Sequence, residues 1–325
     1  ILGPNNAGKS TLISAIRCCV EAVRVAKSRS ATERVRVGER WEPGWRIETA
    51  PFGLDARTVE HEFRGNSAEV ELTWGTGVSV RMIWPSAGSN TERAFFYIVD
   101  ERRANLTQPR DVKKAFSDVD VVPPLSLLQE SESGVTGQTM REQFRRRAGS
   151  RHFRYHLYQM SQSDRGKYYE LVRRWTPGME LVDVNLEPST GHIELRYKEH
   201  GSQVPKEVAW LGGGMQIWLQ LLLHIFENNG DNPLIIDEPE LYLHPDMQNQ
   251  LVRLLNEQTC QTIVASHSPE IVAASDPKSE IIVDKSRRSA VRVSKNGVDD
   301  LRAMLGTTFN LSLAATLRAK VVVFV

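Results

Sequence analysis

From Thr11 to about Lys27, Leu12, Ile13, Ile16, Val20 and Val23 recur at helical spacing, which predicts a helix directly behind a glycine-rich loop. Residues 28–46 are polar and basic and read as a loop with mobile parts. Between about 47 and 100 the period becomes two. Val70, Leu72 and Trp74 alternate with polar residues, Gly75-Thr76-Gly77 turns the chain, and Val78, Val80, Met82 and Trp84 alternate again, the pattern of a hairpin. Ala94 to Val99 reads as a further strand, and Val119 to Val122 as another, ended by Pro123-Pro124.

Residues 126–176 are polar, rich in arginine and tyrosine and helical in parts, and read as an inserted arm. A second hairpin follows, with Val182, Val184 and Leu186 facing Ile193, Leu195 and Tyr197 across Pro188-Ser189-Thr190-Gly191. From 210 onward strands and helices alternate. Leu211 to Gly214 open a long apolar helix to about Phe226, and Leu234 to Ile236 form a buried strand. Pro245 to about Gln258 is a helix, Thr262 to Ala265 a strand, Pro269 to Ala274 the start of a helix, and Glu280–Val283 and Ala290–Val293 are strands. This order implies an α/β protein with a largely parallel sheet covered by helices.

Composition agrees with an ordinary globular protein: 40% hydrophobic and 25% charged over 325 residues, with a net charge of +1. Disorder, collagen-like repeats and a disulfide scaffold are excluded. Three cysteines, two of them adjacent, cannot staple so long a chain and point to a reducing, cytoplasmic setting. The most apolar run, Trp218 to Phe226, is about half of what a membrane helix needs. Residue 1 is not methionine and the chain ends on the β-branched run Val321 to Val325, so a fragment of a larger protein is expected.

Candidate chemistry lies at four places. Gly3-Pro4-Asn5-Asn6-Ala7-Gly8-Lys9-Ser10 fits the P-loop pattern G-x-x-x-x-G-K-[ST], followed by Thr11 and a helix. Its glycines let backbone N–H groups curl around phosphate, Lys9 adds a point charge and the Ser10 hydroxyl suits magnesium. Pro233 to Ile236 run into Asp237-Glu238, as in a Walker B strand; a strand leading into an acidic helix cap would look the same. From Glu227 to Asp246 there are six acids and no lysine or arginine, a density that calls for a cation. Ser266-His267-Ser268 stands at a strand end, 29 residues after Glu238, where an imidazole can contact a phosphate or place a water. Gly212, Gly213 and Gly214 precede a helix and make a second anion-binding surface, or simply a flexible loop.

In this order the four elements resemble the ATP-binding-cassette (ABC) superfamily. Asp237-Glu238-Pro239-Glu240-Leu241-Tyr242-Leu243-His244-Pro245 is similar to the form found in its RecF/SMC-like branch and in the OLD (overcoming lysogenization defect) family. The resemblance implies an ABC-type P-loop NTPase head: a mixed, largely parallel sheet with helices, an antiparallel β subdomain and an inserted helical arm. It places Gly3, Asn5, Asn6, Gly8, Lys9, Ser10 and Thr11 on ATP, and Ser10 and Asp237 on Mg2+. Glu238 becomes the base, His267 the switch, and Gly212 to Gly214 the contact to the γ-phosphate of a second head. Two departures are visible: Gly212 stands where the signature usually has serine, and the glutamine that senses magnesium is matched only weakly by Gln129. Lys9 and Glu238 are 229 residues apart, which leaves room for the arm.

The expected parts are residues 1–125 and 177–305 of the head, the arm 126–176, and residues 306–325 leading into the first strand of a Toprim nuclease domain. Val321 to Val325 would equally serve as a last strand of the ATPase sheet. Partners implied are a second head or higher homo-oligomer, DNA and a partner defence protein, with no membrane. Between Arg141 and Arg174 ten basic residues (Arg141, Arg145, Arg146, Arg147, Arg151, Arg154, Arg165, Lys167, Arg173, Arg174) face three acids, with Phe144, Phe153, Tyr155, Tyr158, Tyr168 and Tyr169 interleaved. Such a stretch suits a nucleic-acid backbone or a solvated helix face. The expected function is an ATPase head regulating DNA cleavage in anti-phage defence; a RecF/SMC-like clamp without nuclease activity is the alternative, and a transporter ATPase fits badly.

Overall fold

The computed structural model describes residues 1, 8–54, 59, 67–84, 93–132, 152–228, 230–276, 279, 281–283 and 291–292. The chain forms two compact units, residues 10–119 and residues 1–9 with 120–325.

In residues 10–119 a helix, α1 (Lys9–Ser28, from Ser10 on), accompanies five strands: β1 (Glu33–Val37), β2 (Arg40–Glu48), β3 (Ala68–Thr73), β4 (Ser79–Trp84) and β5 (Arg93–Val99). They pair antiparallel in the order β1-β2-β5-β4-β3. The expected hairpin is β3–β4, with Val70 opposite Met82 and Leu72 opposite Val80. Gly77, at φ +79°, closes its turn by donating to Trp74 O at 2.9 Å.

The region expected as a loop at 28–46 is instead the β1–β2 hairpin. Its pattern Arg34-Val35-Arg36-Val37 alternates, but it is only four residues long, and β2 carries Pro43-Gly44 in its middle, a pair that reads as a turn. Cys18, Cys19, Ala22, Val23 and Ala26 of α1 pack on the sheet, where Trp45 stacks on Phe96 with ring centroids 5.2 Å apart. Trp84 is fully enclosed and gives its indole N–H to Thr49 Oγ1 at 3.1 Å, because a buried donor must be paired. Gly44 has no alternative residue: a Cβ there would lie 2.1 Å from Phe96 O. A short helix, α2 (Pro109–Ala115), completes this unit, with Val112 in the core.

The second unit holds a three-stranded parallel sheet in the order β11-β10-β6, made of β6 (Asp120–Val121), β10 (Leu234–Asp237) and β11 (Thr262–Ala265). Ile1 runs along β11: its amino group donates to Val264 O at 2.6 Å and its carbonyl accepts from Ser266 N at 3.0 Å. The long apolar helix, α5 (Gly213–Asn228), is buried on nearly all sides, as a helix hydrophobic all round must be. Against it pack α3 (Phe153–Gln159) and α4 (Gln162–Trp175). Tyr168 donates its hydroxyl to Leu219 O at 2.8 Å, and Trp218 its indole N–H to Thr176 Oγ1 at 3.1 Å. Residues 152–176, expected in the arm, thus contribute Phe153, Leu157, Tyr168 and Val172 to this core.

The hairpin β7 (Met179–Leu186) and β8 (Ile193–Glu199), extended by β9 (Lys206–Glu207), departs from the expected phase. A bulge between Leu181 and Asp183 moves Leu181 and Val184 inward and leaves Val182 and Leu186 exposed. Helices α6 (Pro245–Asn256) and α7 (Pro269–Ala274) follow β10 and β11, and β12 (Ile281–Ile282) pairs with β13 (Val291–Arg292). Among the described residues no helix is long and apolar enough to cross a membrane.

Candidate functional site

In open α/β sheets ligands gather at the carboxyl ends of the strands. Here β10 ends at Asp237, opposite Ala265 of β11. Glu238 still donates its N–H to Ala265 O at 2.8 Å, yet its φ is +46°. A non-glycine residue in this region is strained by about 1–3 kcal/mol and persists where its surroundings hold it there. The turn continues with Leu241 N donating to Glu238 O at 3.2 Å and Leu243 N to Glu240 O at 2.9 Å, and Tyr242 is again left-handed at φ +69°. His244-Pro245 is a helix start: Pro245 opens α6 and His244 Nδ1 accepts from Asp246 N at 3.5 Å.

The end of β11 meets this turn through Glu240. Only 7% exposed, Glu240 accepts at Oε1 from Ser266 Oγ and from the His267 backbone N–H, both at 2.8 Å. The His267 imidazole is half-buried, with Nδ1 3.1 Å from Glu240 Oε1 and 3.8 Å from Glu238 Oε1. Ser268 caps α7, accepting from Glu270 N at 3.2 Å and Ile271 N at 3.4 Å, and gives its hydroxyl proton to Gln248 Oε1. Gln248 returns to the turn by donating to Leu243 O at 2.8 Å. The structure thus brings Glu238 and His267 together in one hydrogen-bonded frame beside Asp237.

Of the P-loop residues, Gly3, Asn5 and Asn6 lie outside the described residues. Gly8 is at φ +98° with open space where a Cβ would stand. Lys9 is 3% exposed, and Ser10 and Thr11 are exposed on the first turn of α1.

The three signature glycines differ in surroundings. Gly212 is exposed with nothing near its Cβ position, whereas a Cβ on Gly213 would be 2.9 Å from Leu127 Cδ2 and one on Gly214 2.5 Å from Tyr242 O. Gly214 therefore lets the Walker B turn rest on the start of α5. Gln216 steadies the approach: it donates to Ala209 O at 2.9 Å and Leu211 O at 2.8 Å, and accepts from Leu128 N at 2.8 Å. Gln220 holds Ser126 O at 2.9 Å. Gln129, the weak sensor candidate, is exposed just beyond this clamp.

The basic stretch looks different from its sequence. Arg141, Arg145, Arg146, Arg147 and Arg151, with Phe144, lie outside the described residues. Arg154 is 1% exposed, 3.5 Å from Glu132 and bonded to Glu207 at 2.7 and 3.1 Å, so it cannot face DNA. Phe153 and Tyr168 are core. Lys167 pairs with Asp164, Arg173 with Glu170 and Glu180, and Arg174 with Glu257.

The site fits a magnesium nucleotide. A buried lysine opens α1 and two acids stand at a strand end. Among the described residues no group of three or more histidine, cysteine, aspartate or glutamate side chains converges as a metal cage. Magnesium suits such a place, since it takes one or two carboxylates and completes its shell with phosphate oxygens and water.

Sequence reasoning missed Glu240, Gln216, Gln220 and Gln248. The signal was present for the glutamines, polar residues on otherwise apolar helix faces. For Glu240 it was hidden by the neighbouring acids.

A parallel strand that ends at Asp237 and runs on into Glu238, with His267 two residues beyond the end of the next strand, belongs to a P-loop ATPase head of the ABC-type fold. A solved structure of an SMC head bound to the C-terminal winged-helix domain of ScpA shares this fold, with a TM-score of 0.51, 14% identity, and 90% of each chain covered. The SMC head domain from Thermotoga maritima gives a TM-score of 0.44 and 17% identity, covering 90% of this chain and 89% of that one. The family described as "AAA domain, putative AbiEii toxin, Type IV TA system" matches residues 1–273, and the chain belongs to it. Over 143 residues the chain is 32% identical to an OLD nuclease from Thermus scotoductus, covering 39% of this chain. The match spans 27% of that relative's length.

Proposed function

We propose that the chain binds Mg-ATP at the ends of β10 and β11 and hydrolyses it, as the ATPase head of an OLD-like nuclease. The observation that carries this reading is Glu238, strained at φ +46° and set 3.8 Å from His267 just beyond the neighbouring strand. Strain held in place beside an imidazole at a strand end is the mark of a site that keeps its geometry for chemistry. Lys9 offsets the phosphate charge and Asp237 holds magnesium. Glu238 takes the proton of the attacking water, and His267 contacts the nucleotide's outer phosphate or the water. Bound ATP would supply the anhydride bond to be broken, and a magnesium ion held by Asp237 would supply charge screening for its oxygens. Replacing Lys9 by alanine removes ATP binding. Replacing Glu238 by glutamine keeps binding and lowers turnover by about 100-fold or more. Equal turnover in the wild type and Glu238→Gln would remove Glu238 as the base.

In the longer reading, two heads close on ATP, each offering Gly212 to Gly214 to the other, and this closure governs DNA cleavage by a Toprim domain in anti-phage defence. The identity to an OLD nuclease supports it. Arg154 is withdrawn from the DNA contacts, which leaves Arg141, Arg145, Arg146, Arg147, Arg151, Arg165, Lys167, Arg173 and Arg174. Salt-dependent binding of duplex DNA should lose slope when Arg145, Arg146 and Arg147 become alanine. Metal-dependent cleavage by the full-length protein tests the nuclease; ATP-dependent retention of DNA without cleavage supports the RecF/SMC-like clamp instead.

A further inference from the structure

We propose that Glu240 is a positioning residue for His267: its enclosed carboxylate holds the Nδ1 side of the imidazole, so that Nε2 is the nitrogen presented to the nucleotide. This rests on the reading of His267 given above. The turn itself needs only an acceptor at Oε1, where Ser266 Oγ and the His267 N–H arrive at 2.8 Å. A glutamine would supply that acceptor without the desolvation that burial imposes on a carboxylate. The charge therefore serves something else.

Two atoms show what. Glu240 Oε2 and His267 Nδ1 are both buried and both without a hydrogen-bond partner among the described residues, while Nδ1 already lies 3.1 Å from the other oxygen of the same carboxylate. A small rotation of either side chain joins them. Such bonds are often poorly aligned before a ligand seats the ring. With Glu240 at 3.1 Å and Glu238 at 3.8 Å, two acceptors face Nδ1, so this nitrogen carries a proton in either charge state of the ring. A carboxylate on one imidazole nitrogen is the usual means of fixing both ring orientation and tautomer.

The test uses Glu240→Gln, Glu240→Asp and His267→Ala, read by ATP turnover, affinity for a fluorescent ATP analogue, thermal melting and the imidazole 15N spectrum. In the wild type His267 should show a protonated Nδ1. In Glu240→Gln the melting temperature and ATP affinity should hold, kcat should fall about ten-fold, and the ring should shift toward the Nε2–H tautomer; Glu240→Asp should recover part of kcat. A wild-type ring protonated only at Nε2 overturns the proposal whether or not any variant folds. So does a folded Glu240→Gln with wild-type kcat and an unchanged spectrum. If His267→Ala keeps full turnover, it is the reading of the site that has failed, independently of Glu240.

Discussion

The antiparallel sheet of residues 10–119 and the parallel sheet of the other unit both bury apolar strands, but they keep their irregular residues in different places. In the first, the one described non-glycine residue with positive φ is Arg103, at +60° in an exposed turn. Asp100 satisfies that turn: its Oδ1 accepts from Arg102 N at 2.9 Å and Ala104 N at 2.8 Å. In the second, Glu238 is left-handed directly after a buried strand, while Tyr242, also left-handed, lies four residues further on in an exposed part of the turn. Strain in an exposed turn is relieved locally. Strain at a buried strand end is held by the rest of the fold and is available for function.

If this contrast is right, the antiparallel sheet fails through stability alone. Gly44→Ala puts a methyl 2.1 Å from Phe96 O, a backbone atom that cannot swing away. The expected loss is about 3 kcal/mol, measured by denaturant unfolding, and any drop in ATP turnover should follow the unfolded fraction. A stable Gly44→Ala would mean that β2 and β5 can separate more easily than their pairing shows.

The signature glycines sharpen the comparison within the second unit. Gly214→Ala meets Tyr242 O at 2.5 Å and should lower stability by about 2 kcal/mol, whereas Gly212→Ala enters open space and should change it by less than about 0.5 kcal/mol. Equal losses at both positions would show that the turn does not rest on Gly214.

What the sequence shows of this molecule follows the same division. Hairpin β3–β4 is readable because Val70, Leu72, Val80 and Met82 alternate cleanly and Gly77 supplies the positive φ of the turn. Strands β10 and β11 are readable as short apolar runs, and helix α5 as a long apolar run interrupted by Gln216, Gln220 and His224. The β1–β2 hairpin is not, since its alternation is short and Pro43-Gly44 in the middle of β2 reads as a turn. The bulge near Val182 is not either, because one extra residue inverts the faces without changing composition. The basic stretch misleads for a related reason: Arg154 counts as a surface charge until Glu132 and Glu207, distant in sequence, are found against it. In the site, the order of motifs is visible along the chain, but the clamp of Glu240 on Ser266 and His267 is a contact across 26 and 27 residues that only folding creates.

Glu238→Gly separates strain from chemistry. Glycine adopts φ +46° freely, so relief of strain should raise stability by about 1 kcal/mol while turnover is lost with the carboxylate. A variant less stable than the wild type would mean that the Glu238 side chain contributes more packing than its backbone costs.

The effect that is smallest in the wild type, because two slopes oppose one another, separates the units by pH. In residues 10–119 burial pushes the Cys18 and Cys19 thiols up, the latter to about 12, so neither changes charge in the acid range. The other unit holds two groups with opposite slopes. Burial, aided by His156 and opposed by Glu227, lowers His224 from 6.5 to about 4. The unfolded imidazole therefore binds a proton that the folded one refuses, and its contribution, present above pH 6.5, is lost as pH falls toward 4. Burial raises Glu132 from 4.5 to about 7, against the N–H groups of Tyr155 and Arg154 and the Arg154 charge. Its contribution is complete below pH 4.5 and lost as pH rises to 7. Between 4.5 and 6.5 the two slopes, each at most about 1.4 kcal/mol per pH unit, oppose one another. Unfolding midpoints at pH 4.5, 5.5 and 6.5 should thus rise with pH in Glu132→Gln and fall with pH in His224→Gln. Parallel curves for both variants would take these two groups out of the acid response and leave it to surface charge.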